Sequence, residues 1–120
     1  MKQIILAFSL LLFTLSISGQ DIDGKWNGKL VTPGGDLRVD FNITTTEGGY
    51  TSTLDSPDQN AYGIAVNSTL FEKPELTIKV TDLDAVYVGK LVEDNTIEGT
   101  FTQMGQSFEM KLVRKPKVEL

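Results

Sequence analysis

The sequence predicts an all-β fold, an eight-stranded up-and-down antiparallel barrel with a small or filled interior. Three observations support it: apolar residues alternate with polar ones throughout residues 20–120, helical periodicity is absent there, and the connections between segments are short and rich in turn-forming residues. Short turns pair each strand with the next, and closure into a barrel removes exposed sheet edges. A two-sheet sandwich is the alternative.

Each predicted strand is defined by residues that recur at every second position. In chain order the inward-facing residues are Trp26, Gly28 and Leu30; Val39, Phe41 and Ile43; Tyr50, Ser52 and Leu54; Ile64 and Val66; Leu76, Ile78 and Val80; Tyr87, Gly89 and Leu91; Ile97, Gly99 and Phe101; and Phe108, Met110 and Leu112. The fourth segment, near 62–70, is the least regular. Turn residues occupy 33–35, 47–49, 94–95 and 104–105.

Three of the strands share a pattern with glycine between two large residues: WNGKL, YVGKL and IEGTF. This spacing places Gly28, Gly89 and Gly99 on the inward face, where missing bulk lets a strand bend as a barrel closes. A small ligand against the glycines is the alternative interpretation.

Residues 1–19 have the order of a secretory signal peptide: Lys2, an apolar run over 4–17, then Ser18 and Gly19. The run is short for a membrane span, so we expect cleavage and no stable membrane insertion afterwards, with a retained anchor as the alternative. Residues 20–120 then form a single β-barrel domain, exported to the periplasm or the extracellular space. The absence of cysteine suits a bacterial envelope protein.

Composition argues against catalysis and nucleic-acid binding. The chain has no histidine or cysteine and a formal net charge of −5, so it lacks an imidazole base and a thiol nucleophile and would repel phosphate backbones. The paired carboxylates Asp55 with Asp58 and Asp82 with Asp84 are typical of turn formers. The segments DIDG and DLD resemble the start of calcium loops but lack the closing glutamate. We therefore predict a protein that is not an enzyme, with no cofactor and no metal site.

The direction of the strands sorts the loops into two groups. In an up-and-down barrel the first, third, fifth and seventh connections share one end, and here they are rich in acidic and amide side chains. The predicted binding mouth for a partner or ligand comprises Asp36, Asp58, Gln59, Asn60, Asp82, Asp84, Gln103 and Gln106. The opposite end carries Trp26 and Arg114.

The opening GKW, residues 24–26, resembles the Gly-x-Trp start of lipocalin-like barrels. Arg114 resembles the basic residue that packs on that tryptophan in the same group. Because the first and last strands of a closed barrel are neighbours, we expect a structural cation–π contact between Trp26 and Arg114.

A second resemblance covers about residues 21–114. The stretches PGGDLRVDF, TLDSPDQNAYGIAV and GTFTQMGQSFEMKL resemble the small all-β domain that precedes a serine α/β-hydrolase domain in many secreted proteins of Bacteroidetes-type bacteria. The chain departs from that pattern at Ala65, Met104 and Glu109, and no hydrolase domain follows within its 120 residues. The resemblance implies a non-catalytic binding or interaction module, accessory in trans to a secreted hydrolase or to another envelope protein.

The alternative function is a carrier of a small apolar ligand. An eight-stranded barrel is either filled by its own side chains or wide enough for one small ligand. The interior contacts for such a ligand would be Trp26, Tyr50, Tyr87 and Phe101.

Overall fold

The computed structural model describes residues 21–115, which form one antiparallel sheet with almost no helix. Its strands are β1 (Gly24–Thr32), β2 (Gly35–Thr46), β3 (Gly49–Ser56), β4 (Ala61–Ala65), β5 (Ser68–Glu72), β6 (Glu75–Val80), β7 (Ala85–Glu93), β8 (Thr96–Gln103) and β9 (Gln106–Arg114). Two single-turn 3-10 helices, Pro57–Gln59 and Thr81–Leu83, follow β3 and β6. The signal peptide expected at residues 1–19 lies outside the described residues.

The all-β prediction is confirmed, but the sheet has nine strands, not eight. Their order is β4-β3-β2-β1-β9-β8-β7-β6-β5, so the first and last strands pair as expected, with Trp26 opposite Arg114. The predicted fourth segment is divided at Val66 and Asn67. The amide N–H of Asn67 donates to Lys79 O, and its side-chain oxygen accepts from the N–H of Thr81, which fixes the start of β5 beside β6.

The sheet curls into a half-barrel that backbone pairing does not close. Among the described strands, β4 and β5 are the two edges of the sheet. Side chains of β3 and β5 nevertheless meet: Ser52 Oγ lies 2.5 Å from Thr69 Oγ1, and the rings of Tyr50 and Phe71 pack edge to face with centroids 6.2 Å apart. We call this contact the seam.

The inner face of the sheet is packed with the predicted apolar residues. Trp26, Phe41, Leu76, Ile78, Ile97 and Leu112 are fully buried, and most of the other predicted inward-facing residues are nearly so. The core also contains Ile22, which precedes β1 and which alternation alone did not identify.

The inward glycines make room for a tyrosine ring. A Cβ on Gly89 would lie 2.9 Å from Tyr87 Cε2, and one on Gly99 would lie 2.7 Å from the Tyr87 hydroxyl. Gly89 and Gly99 are opposite each other in β7 and β8, and the hydroxyl of Tyr87 donates to Met110 O at 2.8 Å on β9. Gly28 is equally confined, because its Cβ would lie 2.7 Å from Leu112 Cδ2. The ring of Tyr87 therefore lies over Gly89 of β7 and Gly99 of β8, two positions that carry no side chain.

The end of the sheet opposite the predicted mouth is fastened by Arg114. Its guanidinium carbon lies 4.6 Å from the Trp26 ring centroid, so the expected cation–π contact is present. The same guanidinium donates to Asn95 Oδ1 and to the main-chain oxygens of Asp21, Asp23 and Asp94. One side chain thus joins the segment before β1, the β7–β8 turn and the core.

Candidate functional site

Four connections lie at one end of the curled sheet and form what we call the mouth: residues 33–34, 57–60, 81–84 and 104–105. Hydrogen bonds link them in pairs. The backbone N–H and the guanidinium of Arg38, next to the first connection, bind the carboxylate of Asp58 in the second. Met104 N donates to Asp84 O at 3.0 Å, which links the fourth connection to the third.

The polar stretch 54–63 builds a fixed turn. Asp58 Oδ2 accepts from Arg38 N at 2.9 Å, and this hydrogen bond, together with the guanidinium, lowers the pKa of Asp58. Gln59 Oε1 accepts from the hydroxyl of Ser56 at 2.8 Å. Asn60 has a φ of 57°, a left-handed conformation that asparagine tolerates better than most residues. Three of the predicted binding residues therefore hold their own loop in place.

The second 3-10 turn repeats the backbone of the first. Asp84 takes the position of Asn60 with a φ of 52°, and its N–H donates to Thr81 O as that of Asn60 does to Pro57 O. Each turn has Asp at its second position and Ala after the left-handed residue, a shared pattern that could have been found in the sequence. The exposed side chain of Asp82 makes no hydrogen bond or ion pair to any residue that the structure describes.

An apolar cleft of about 400 Å³ opens between the β1–β2 and β8–β9 turns. It is lined by Leu30, Thr32, Pro33, Leu37, Gln103, Met104, Gln106 and Phe108. Met104 is 70% exposed and has a φ of 49°. Gln103 is fixed by a hydrogen bond from Nε2 to Leu83 O, whereas Gln106 is exposed at the rim.

Alternation placed Leu30 and Phe108 of this cleft on the inner face, and Gln103 and Gln106 were predicted binding residues, but Pro33 and Met104 were given no binding role. Met104 carried a signal in the sequence, because a large apolar side chain is unusual in a turn. Pro33 did not, because proline is a common turn residue. Asp36, also predicted here, is exposed and forms an ion pair with Lys29 at 3.8 Å.

Three of the four predicted interior ligand contacts are buried in the core. Trp26, Tyr87 and Phe101 are at most 3% exposed, and the Trp26 indole N–H donates to Ile22 O at 2.8 Å. Burial, with a smaller effect of the Glu98 charge, raises the pKa of Tyr87. Tyr50 lies apart from these three at the seam, where burial and the nearby Asp21 carboxylate raise its pKa.

Asp55, which the sequence analysis paired with Asp58 as a turn former, lies on the outer face of β3 and is only 7% exposed. The β3–β4 register shifts between Leu54 and Ser56, and Gly63 donates its N–H to Asp55 Oδ1 at 2.8 Å. Burial alone would raise the pKa of Asp55. Hydrogen bonds from Gly63 and Asn42, and the charge of Lys25, outweigh burial and lower it.

Within residues 21–115 no three acidic side chains come close enough to form a metal-binding group. No helix in that same part of the chain is long and apolar enough to cross a bilayer. The accessible groups at the mouth are carboxylates, amides, a thioether and apolar carbon, which suit non-covalent binding.

Comparison with protein-family models, with curated proteins and with solved structures returns no match for this chain. The resemblance to the hydrolase-preceding domain therefore stays a prediction of the sequence. The geometry of the mouth supplies the functional proposal.

Proposed function

We propose that this protein is an exported, non-catalytic module that binds another exported protein at its mouth. The observation that supports this proposal is the apolar cleft beside Met104, which is flanked by Gln103 and Gln106. An apolar centre with a polar rim is the usual anatomy of a protein–protein contact.

Contacts within the protein fix the turns around the cleft in the absence of a partner. The mouth has an Arg38–Asp58 ion pair at 3.1 Å, two 3-10 turns of the same backbone form and the Gln103–Leu83 hydrogen bond. Preorganised loops lose little conformational entropy on binding, which favours affinity from a small contact area.

The charge of the mouth indicates the kind of surface that a partner would present. Asp36 and Asp58 are paired with Lys29 and Arg38, but Asp82 extends its carboxylate into solvent and the whole chain is acidic. The complementary surface is a basic segment that carries one apolar side chain, which would enter the cleft. The sequence resemblance to the hydrolase-preceding domain makes a separately encoded secreted α/β-hydrolase the expected partner.

The absence of histidine and cysteine from the sequence supports a non-catalytic role. The alternative, a carrier of a small apolar ligand, has less support because Trp26, Tyr87 and Phe101 are packed against their neighbours. An apolar ligand would have to use the mouth cleft instead.

Site-specific cross-linking tests the proposal. A photoreactive phenylalanine analogue replaces Met104 in the mouth or, as the control, Val88, which is 41% exposed on the wall. We expect a covalent adduct with one exported protein at Met104 and not at Val88, and mass spectrometry should place the attachment in a basic segment. With the purified pair, Met104→Lys should weaken binding about tenfold or more without changing the melting temperature.

Equal adducts at both positions, or undiminished affinity of Met104→Lys, would contradict the proposal. Asp58 and Gln59 are unsuitable test positions because both hold the turn itself.

A further inference from the structure

The two 3-10 turns of the mouth have the same backbone but different neighbours. The residue before the first turn, Ser56, has φ and ψ of −124° and 82°, and the residue before the second, Val80, has −121° and 87°. The second residue of each turn is an aspartate. The two carboxylates therefore start from equivalent positions, and what each one binds depends on the strand beside its turn.

In the first turn, Asp58 binds an arginine of the adjacent strand at two points. Its Oδ2 accepts from the backbone N–H of Arg38 at 2.9 Å, and its Oδ1 accepts from the guanidinium of the same residue at 3.1 and 3.3 Å. Arg38 lies in β2, two residues beyond Asp40, where the pairing of β2 with β3 ends. Because β2 continues past the end of β3, it brings an arginine in an extended backbone to the turn.

No described strand occupies the equivalent place beside the second turn. β5 precedes β6 and pairs with it as β2 does with β3, and this pairing ends toward the mouth at Ser68 and Lys79. Lys79, like Asp55 at the end of the β2–β3 pairing, is two residues before its turn. The position equivalent to Arg38 is therefore Val66, where the chain has already turned away from β6 into β4.

The donors and acceptors of the second turn leave the carboxylate of Asp82 available. The N–H of Thr81 donates to Asn67 Oδ1 at 2.6 Å, whereas the first turn begins with Pro57, which has no N–H. Asn67 thus binds the backbone of the turn and not its aspartate. The Asp82 carboxylate makes no hydrogen bond or ion pair to any residue in the described part of the chain.

We propose that Asp82 binds an arginine of the partner's basic segment in the way that Asp58 binds Arg38. The segment lies extended beside the second turn and continues the line of β5, with its backbone N–H and its guanidinium both donating to the carboxylate. Lysine is a poorer fit, because its ammonium group lacks the planar set of donors that a carboxylate accepts at two oxygens.

This inference rests on the protein-binding role proposed for the mouth, and it adds the residue type and the backbone form of the bound segment. The turn that carries Asp82 is next to the apolar cleft, since Met104 N donates to Asp84 O at 3.0 Å. The arginine contact and the apolar contact therefore belong to one binding surface.

An NMR titration with short peptides tests the inference without the natural partner. The probe is Leu-Arg-Val with blocked termini, the sequence of residues 37–39, so that the guanidinium is its one charge. Three matched peptides replace the arginine with citrulline, with lysine or with N-methylarginine, which lacks the backbone N–H. A single exposed contact is weak, so the titration of the 15N-labelled protein extends into the millimolar range.

We expect saturable shifts of the amide signals of residues 81–84 with the arginine peptide, and binding about tenfold weaker or less with each of the other three. Asp82→Asn should weaken binding of the arginine peptide about tenfold and leave the melting temperature unchanged. Glu109→Gln, on the exposed face of β9, removes the same charge elsewhere and should leave peptide binding unchanged.

Four outcomes would overturn the inference: no shift at residues 81–84, equal binding of any of the three matched peptides, undiminished binding by Asp82→Asn, or equal weakening by Glu109→Gln. The Met104 cross-link reports separately on the proposed function. An adduct at Met104 without arginine binding at Asp82 would overturn this inference alone, whereas arginine binding at Asp82 without an adduct would contradict the protein-binding role.

Discussion

At the scale of single residues, the fold depends on small side chains placed beside large ones. Tyr87 covers Gly89 and Gly99 and reaches β9 through its hydrogen bond to Met110 O. The alternating pattern placed these glycines on the inner face correctly. It assigned them to strand curvature, and the structure shows in addition that they give space to the ring of Tyr87, which lies on β7 with Gly89 and next to Gly99 of β8.

A methyl group at Gly99 tests this packing. The Cβ of Gly99→Ala would overlap Val88 O and lie 2.6 Å from Gly89 Cα, so backbone must move. We expect the free energy of unfolding in urea to fall by about 1–3 kcal/mol. Gly34→Ala is the matched control, because no atom lies within 4 Å of its added Cβ, and it should change stability by less than about 0.5 kcal/mol. Equal stability of the two variants would refute the packing role.

At the scale of elements, local polar contacts decide the shape of the mouth and of β4. Alternation located the inward residues of β1, β2, β6 and β9, because one face of each strand is buried. It could not predict the break at Val66 and Asn67 or the bulge at Asp55. The break depends on hydrogen bonds between Asn67 and the distant residues Lys79 and Thr81. The bulge depends on the hydrogen bond from Gly63 to Asp55, which follows no periodic pattern in the sequence.

The bulge makes stability depend on pH. The pKa of Asp55 is lowered in the folded protein, so its ionised form stabilises the fold above the unfolded pKa of about 3.9. This contribution is lost as pH falls through the lower, folded value. We expect the melting temperature of Asp55→Asn to change less than that of the unchanged protein between about pH 6 and pH 2.5.

The exposed Asp82 supplies the control for this measurement. Asp82→Asn should give a curve parallel to that of the unchanged protein, since no described residue binds its carboxylate. Parallel curves for Asp55→Asn as well would mean that the Gly63 and Asn42 contacts do not stabilise the ionised acid.

At the scale of the whole molecule, the sequence predicted the meander and the pairing of the first and last strands, which follow from short turns and one apolar face. It did not predict how the sheet ends, because closure depends on whether two distant strands come within hydrogen-bonding distance. In this protein β1 pairs with β9 through the backbone, while β3 and β5 meet only through side chains such as Ser52 and Thr69. The two halves of the sheet are therefore joined firmly on one side and loosely on the other.

Backbone amide hydrogen exchange, measured residue by residue by NMR, tests this asymmetry most directly. Amides of residues 49–52 and 68–72 that point into the seam lack strand partners, so they should exchange about a hundredfold or more faster than the amides that join β1 to β9. Equal protection on both sides would show a closed barrel and contradict the half-open sheet.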